Sequence, residues 1–221
     1  NAMTMWIFST ERTYRTTPSV FYFLIATIYD SLQLVFNLLS RVVSVGFKSD
    51  LTRASVIWCK TRLSLAAVFV TMTLTCQCLA TLDQFLVTSR NARLRQLSTM
   101  KNAWRAVLIV TVVWWLHGIP FVVFQDIASS SGACVYTSSD FSRYQPFFSL
   151  LIVNGIPITI MVVFGCLAYR NVSHITALTR QHADRQLTAM VCMQVLLAVF
   201  SRTPNGIYFA YSTIRTGTSR N

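Results

Sequence analysis

The sequence predicts an all-α membrane protein, a bundle of helices long enough to cross a lipid bilayer. Three observations carry that prediction. Of 221 residues, 53% are apolar and 12% charged, where a soluble domain averages about a quarter charged. Five stretches reach the roughly twenty residues that a bilayer span needs. These stretches are apolar all round, with no polar stripe to face water as the helices of a soluble domain would have.

The spans follow in order. The first, 17–40, is uncharged except for Asp30. The second, 56–85, holds the run Leu63 to Leu82, twenty residues without a charge. Cys59 stands near its head and Asp83 closes it. The third, 106–125, and the fourth, 144–169, carry no charge at all. The fifth, 186–214, is interrupted only by Arg202. Fifteen Phe, eight Tyr and five Trp suit lipid-facing surfaces and interface belts. Trp114 and Trp115 read as such packing or belt residues, and His117 beside them as structural.

The net charge is +12. These charges interrupt apolar spans rather than covering a soluble face, so nucleic acid is not a partner. Basic loops beside anionic lipid account for the excess. Segments 11–16, 90–105 and 170–185 hold ten Lys and Arg, against eight in 41–62, 126–143 and 215–221. The 90–105 loop tips the balance, with Arg90, Arg93, Arg95, Lys101 and Arg105 and no acid. The positive-inside rule places that loop in the cytosol. The chain then starts inside and ends outside. The sequon at Asn171-Val172-Ser173 is expected to be cytosolic and unglycosylated.

Six cysteines in so apolar a chain do not form a disulfide framework of the small secreted kind. Cys76, Cys78, Cys166 and Cys192 lie within apolar runs, and only Cys59 and Cys134 fall near span ends or loops. No Cys/His spacing suits zinc. A membrane enzyme lacks support: there is no G-x-S-x-G, no H-E-x-x-H and no second carboxylate inside a span beside Asp30. A transporter fragment is a weak alternative. Pro157 and Pro204 break spans, but no internal repeat accompanies them.

Cys59 sits twenty-four residues before Asp83-Gln84-Phe85, and Cys134 lies in the loop SGACVYTS between the third and fourth spans. Pro157 occurs in NGIPITI and Pro204 in FSRTPNGIYF. On these residues the chain resembles helices two to six of a rhodopsin-like G-protein-coupled receptor. The tracts SLQLVF and DQFLVTSRNARLRQLST are most similar to invertebrate neuropeptide receptors of the FMRFamide type. The resemblance implies a seven-transmembrane-type bundle that is here incomplete. The residues before Thr10 would be the last turn of helix one, and helix seven would be missing.

The resemblance also implies roles. Cys59 and Cys134 would form a disulfide pinning the outer loop over a ligand cavity. Asp30 would bind Na+ and change state on activation, with Thr73 as its hydroxyl partner from helix three; no other cofactor is implied. Asp83, Gln84 and Phe85 occupy the D/E-R-Y site facing the G protein. The family Arg there is Gln84, so the lock to a helix-six acid, here Asp184, would be weak. Pro157 and Pro204 would be the hinges of helices five and six. Arg202 stands where the family has Trp; buried at that depth it costs several kcal/mol unless it snorkels or pairs, and an acidic group of the ligand, Asp126 and Asp140 are its candidate partners, the alternative being a receptor that has lost its switch. Ala66 replaces the Asp of amine receptors, which argues against a biogenic amine. The implied function is a plasma-membrane receptor for an extracellular ligand, a neuropeptide, acting on a heterotrimeric G protein. Gln33, Arg62 and Arg202 are candidate ligand contacts. The alternative is a truncated or signalling-defective receptor-like membrane protein.

Overall fold

The computed structural model describes residues 17–46, 55–128 and 132–173, and, further along, 189, 193, 195–201, 203, 204, 206, 207 and 211. Helix α1 spans Pro18–Arg41 and runs on into a π-helical end, Val42–Gly46. Pro18 suits a first helical position, where its missing N–H leaves no bond unmade. Helix α2, Val56–Thr88, has 33 residues and so is about 50 Å long. Ser55 caps it by accepting from the Trp58 N–H at 3.4 Å. A single turn, α3 (Ala92–Arg95), is capped by Asn91.

Helix α4 is Met100–Val123. It starts six residues before the expected 106, because Thr99 caps it and Lys101 and Arg105 are exposed on its first turns. Long basic stems there reach the interface while their helix continues inward. Its end falls short of 125, since Gln125–Ile127 forms strand β1. Strand β2, Cys134–Tyr136, pairs antiparallel with β1 in the register Gln125↔Tyr136, Asp126↔Val135 and Ile127↔Cys134. Gly132 turns the connection with φ +63°, a left-handed conformation that favours glycine.

Helix α5 (Ser139–Phe147), a π-helix (Phe148–Gly155) and α6 (Ile156–Ser173) form one continuous rod. Where the sequence pattern begins its fourth span at 144, this rod begins at Ser139, because Ser138 caps it by accepting from the Phe141 N–H. The wider π turn lies just before Pro157, whose missing N–H already interrupts the α ladder. The fifth expected span falls mostly outside the described residues; those described between 189 and 211 are helical.

Helix α2 is the hub, packing against α1, α4 and α6. Its side chains at Phe69, Met72, Leu74, Cys76 and Ala80 are buried. By contrast α4 buries only Ala103, Val107, Gly118 and Phe121, and turns Leu108, Ile109, Val112, Leu116 and Val123 outward. Four described helical segments are long and apolar enough to cross a bilayer: Pro18–Ser40, Val56–Thr88, Met100–Val123 and Ser139–Val172. Apolar side chains outside and backbone bonds closed within each helix are what hydrocarbon requires.

Helices α2 and α4 cross at Gly118. Ser64 Oγ donates to the Gly118 carbonyl at 2.8 Å. A Cβ at Gly118 would lie 2.7 Å from Val68 Cγ2. Small residues and a hydroxyl bond at the crossing are how helices approach closely without a hydrophobic drive from water.

Candidate functional site

Two clusters sit at opposite ends of α2. The first is the disulfide end. Cys59 and Cys134 are bonded, with Cα atoms 5.8 Å apart and 75 residues between them in sequence. Cys59 is held by the first turn of α2 and Cys134 by β2. Lys60 and Asp126 add an ion pair at 3.6 Å. Asp126, a candidate partner of Arg202, pairs with Lys60 among the described residues, because β1 lies across the head of α2. Arg202 itself lies outside the described residues. The other candidate partner of Arg202, Asp140, is exposed in the first turn of α5, a favourable place for a carboxylate.

Below the hairpin lies a cavity of about 240 Å³. Gln33 enters it from α1, Ala66 and Val70 from α2, Phe121 from α4, Tyr136 from β2, and Gln145, Ser149 and Asn154 from the α5–π rod. The π turn makes this possible. It carries Ser149 and Asn154 inward together, and Asn154 Nδ2 donates to the Ser149 carbonyl at 2.5 Å, five residues back. Asn154 is buried and its Oδ1 has no partner among the described residues, an unsatisfied acceptor of the kind interiors seldom keep. Tyr136 is hydrogen-bonded to Gln125, and burial raises its phenol above the ordinary tyrosine range. No Asp, Glu, Lys or Arg is among the described lining residues. Of the expected ligand contacts, Gln33 lines this cavity, and Arg62, half-buried on α2, does not.

An aromatic wall closes the side toward α4. His117 packs on Phe148 at 4.6 Å, on Phe121 at 5.7 Å and on Trp114 at 5.8 Å. Trp114 turns inward, its Nε1 donating to Thr75 Oγ1 at 3.0 Å, whereas Trp115 is exposed.

The second cluster is at the other end of α2. Asp83 and Gln84 are buried. The Ser19 hydroxyl donates to Asp83 Oδ2, and the Ser19 backbone N–H is also bonded to Asp83. Ser19 is in the first turn of α1, where Thr17 offers no side-chain cap. Asp83 thus caps α1 from a neighbouring helix, satisfying an orphan N–H and lying at the positive end of the helix dipole. Ser98, in the loop between α3 and α4, donates to Asp83 Oδ1 at 2.6 Å. Gln84 Nε2 donates to Ser19 Oγ at 2.9 Å. Phe85 stacks edge-on against Phe164 of α6 at 5.4 Å. Asp184 lies outside the described residues.

Midway, Thr73 Oγ1 donates to the Ala26 carbonyl at 3.5 Å, one turn before Asp30. Asp30 is half-buried in a surface cleft with Gln33, Leu34, Asn37 and Leu38. Pro157 is buried; Pro204 is on an exposed helical position.

Residues 1–221 match the family described as 7 transmembrane receptor (rhodopsin family). The chain belongs to that family. It is therefore a multi-pass plasma-membrane receptor that signals through G proteins, and not an enzyme. No curated protein matches it. Helices α1, α2 and α4 and the α5–π–α6 rod take the places of the first four spans expected from the sequence. Asp83 and Gln84, expected at the D/E-R site, are both buried beside Ser19 of α1. Sequence reasoning missed Ser19, Ser98, Ser149 and Asn154. Ser19, Ser149 and Asn154 are polar residues in or beside apolar runs and Ser98 sits in the basic loop; only the folded chain shows what each bonds.

Proposed function

We propose that this receptor answers an extracellular peptide, and that the part of the peptide entering the cavity is a neutral amide. The observation that carries this reading is Asn154, whose Oδ1 is unpartnered among the described residues, lining a cavity with Gln33, Gln145 and Ser149 and without a described charge. A carboxamide supplies the missing N–H and a carbonyl for the glutamines. A buried ammonium would need an acidic partner, and Ala66 offers none. The similarity of SLQLVF to FMRFamide-type receptors supports an amidated peptide in particular. Arg62 and Arg202 are proposed to meet the ligand outside the neutral cavity.

The proposed orientation puts the Cys59–Cys134 end outside and the 90–105 loop inside, with the chain start cytosolic and the chain end extracellular. A disulfide persists in an oxidising compartment, which supports it. The ligand would shift the bundle between two states through unequal affinity for them. Na+ at Asp30 is part of the proposal. A carboxylate and the Thr73 hydroxyl on facing helices suit a hard cation, and sodium-dependent thermal stability in the absence of peptide tests it.

Nucleotide exchange on a G protein in receptor membranes tests the whole. Amidated peptides should raise it and their free acids should do so less. A full-length version silent to every peptide, without basal exchange, contradicts the reading. A second reading, a receptor-like protein that does not signal, draws on Gln84, which is bonded toward Ser19 and carries no charge. It predicts peptide binding without exchange.

A further inference from the structure

We propose that Ser98 is a phosphorylation site for a serine/threonine kinase that prefers basic substrates, and that the phosphate releases the 90–99 loop from Asp83.

The sequence around Ser98 reads Arg93-Leu94-Arg95-Gln96-Leu97-Ser98. Two arginines stand five and three residues ahead of the hydroxyl, and no Asp or Glu occurs between Asp83 and Asp126. Kinases select substrates by such charge patterns, through acidic pockets that hold the arginines. Arg93, Arg95, Gln96 and Leu97 are all exposed. The only regular structure in the segment is α3, four residues long, and a helix so short has little stability of its own. Opening it to a kinase is therefore a small step. The Cys59–Cys134 bond marks the oxidising end of α2. Asp83 lies twenty-four residues further, about 36 Å along the helix, at the end where ATP and kinases are found. The inference rests on the orientation given under Proposed function.

The position makes the modification consequential. Ser98 Oγ is the donor to Asp83 Oδ1 at 2.6 Å. In the reaction Ser98 Oγ attacks the γ-phosphorus of ATP. The new O–P bond forms, the bond to the ADP oxygen breaks, and the hydroxyl proton passes to the kinase's base. The ester oxygen left behind has no proton to donate. A group of charge about −2 then stands beside the Asp83 carboxylate, and like charges in contact repel. Asp83 keeps its bonds to Ser19 on α1, so it is the loop that moves. Arg93 and Arg95 are within the same loop to meet the phosphate. The result is a cytosolic loop freed from the helix that bears the G-protein-facing residues.

The test uses the full chain in lipid nanodiscs, a kinase that prefers basic substrates, and Mg-ATP. Phosphosites are mapped by mass spectrometry, and hydrogen exchange is followed over residues 90–99. The expected result is phosphate on Ser98, lost in the exposed-site variant Arg95→Gln. Exchange in 90–99 should quicken roughly ten-fold. Ser98→Ala should take no phosphate and show no further change on adding the kinase. Phosphate confined to Thr99, no phosphate in the loop, or phosphate on Ser98 with unaltered exchange would each overturn the proposal. The assay needs neither peptide nor G protein, so its failure is separate from failure of the receptor reading.

Discussion

Replacing Gly118 with alanine asks whether α2 and α4 cross where the structure has them. The added Cβ would lie 2.7 Å from Val68 Cγ2 and 3.1 Å from Ser64 Oγ. Carbon atoms settle at about 3.5–4.0 Å, so the helices must part by roughly 1 Å. Overpacking of this kind costs about 1–3 kcal/mol. Parting the helices also weakens the Ser64 bond to the Gly118 carbonyl, about 0.6 kcal/mol for a bond between membrane helices. Alanine's better helix propensity offsets about 1 kcal/mol. Gly165→Ala shares that propensity gain, but its Cβ would find Val195 Cγ2 at 3.6 Å and Thr81 Cγ2 at 3.8 Å, ordinary contacts. Gly118→Ala should therefore lie about 2–3 kcal/mol below Gly165→Ala. In a chain of this size that is roughly 5–10 °C in a thermal unfolding assay of detergent-solubilised protein. Combining Gly118→Ala with Val68→Ala removes the clashing methyl, so the pair should be less destabilised than the sum of its members. Equal melting of Gly118→Ala and Gly165→Ala, or strict additivity with Val68→Ala, would refute the crossing.

Three further outcomes follow from the two ends of α2. Cys59→Ser, Cys134→Ser and the double variant should lose the same stability, about 2–5 kcal/mol, because each removes one bond; unequal melting temperatures would contradict the pairing. Asn154→Leu should weaken an amidated peptide roughly ten-fold and its free acid much less, read by competition binding. Gln84→Arg places a cation beside Asp83, where Gln84 now bonds Ser19; agonist-driven nucleotide exchange should rise, and no change would mean that the neutral residue does not limit coupling.

Much of this was legible in the sequence because the membrane leaves few choices. The uncharged run from Leu63 to Leu82 has the length of a span, and the ends of a span fall on opposite faces. The disulfide was reached through family resemblance, and the structure bonds those two residues. What was not legible is what depends on neighbours. No local pattern says that Asp83 caps α1, since the capped N–H belongs to Ser19, sixty-four residues away. The π turn over Phe148–Gly155 has no propensity signature, yet it decides that Ser149 and Asn154 share the cavity. The start of α4 was misplaced because Lys101 and Arg105 look like loop residues until their long stems are counted. The pairing of Asp126 with Lys60 was not legible either, because nothing in the sequence places β1 beside the head of α2.

The sidedness of the two α2 termini bears most directly on the whole account. An epitope inserted after Gln96 and another at Gly132 can be read by antibody in intact and in permeabilised cells. The tag at Gly132 should stain intact cells, and the tag after Gln96 should stain only once the membrane is opened. Staining of the Gln96 tag on intact cells would place the basic loop outside and contradict the receptor orientation, the ligand cavity and the kinase site together.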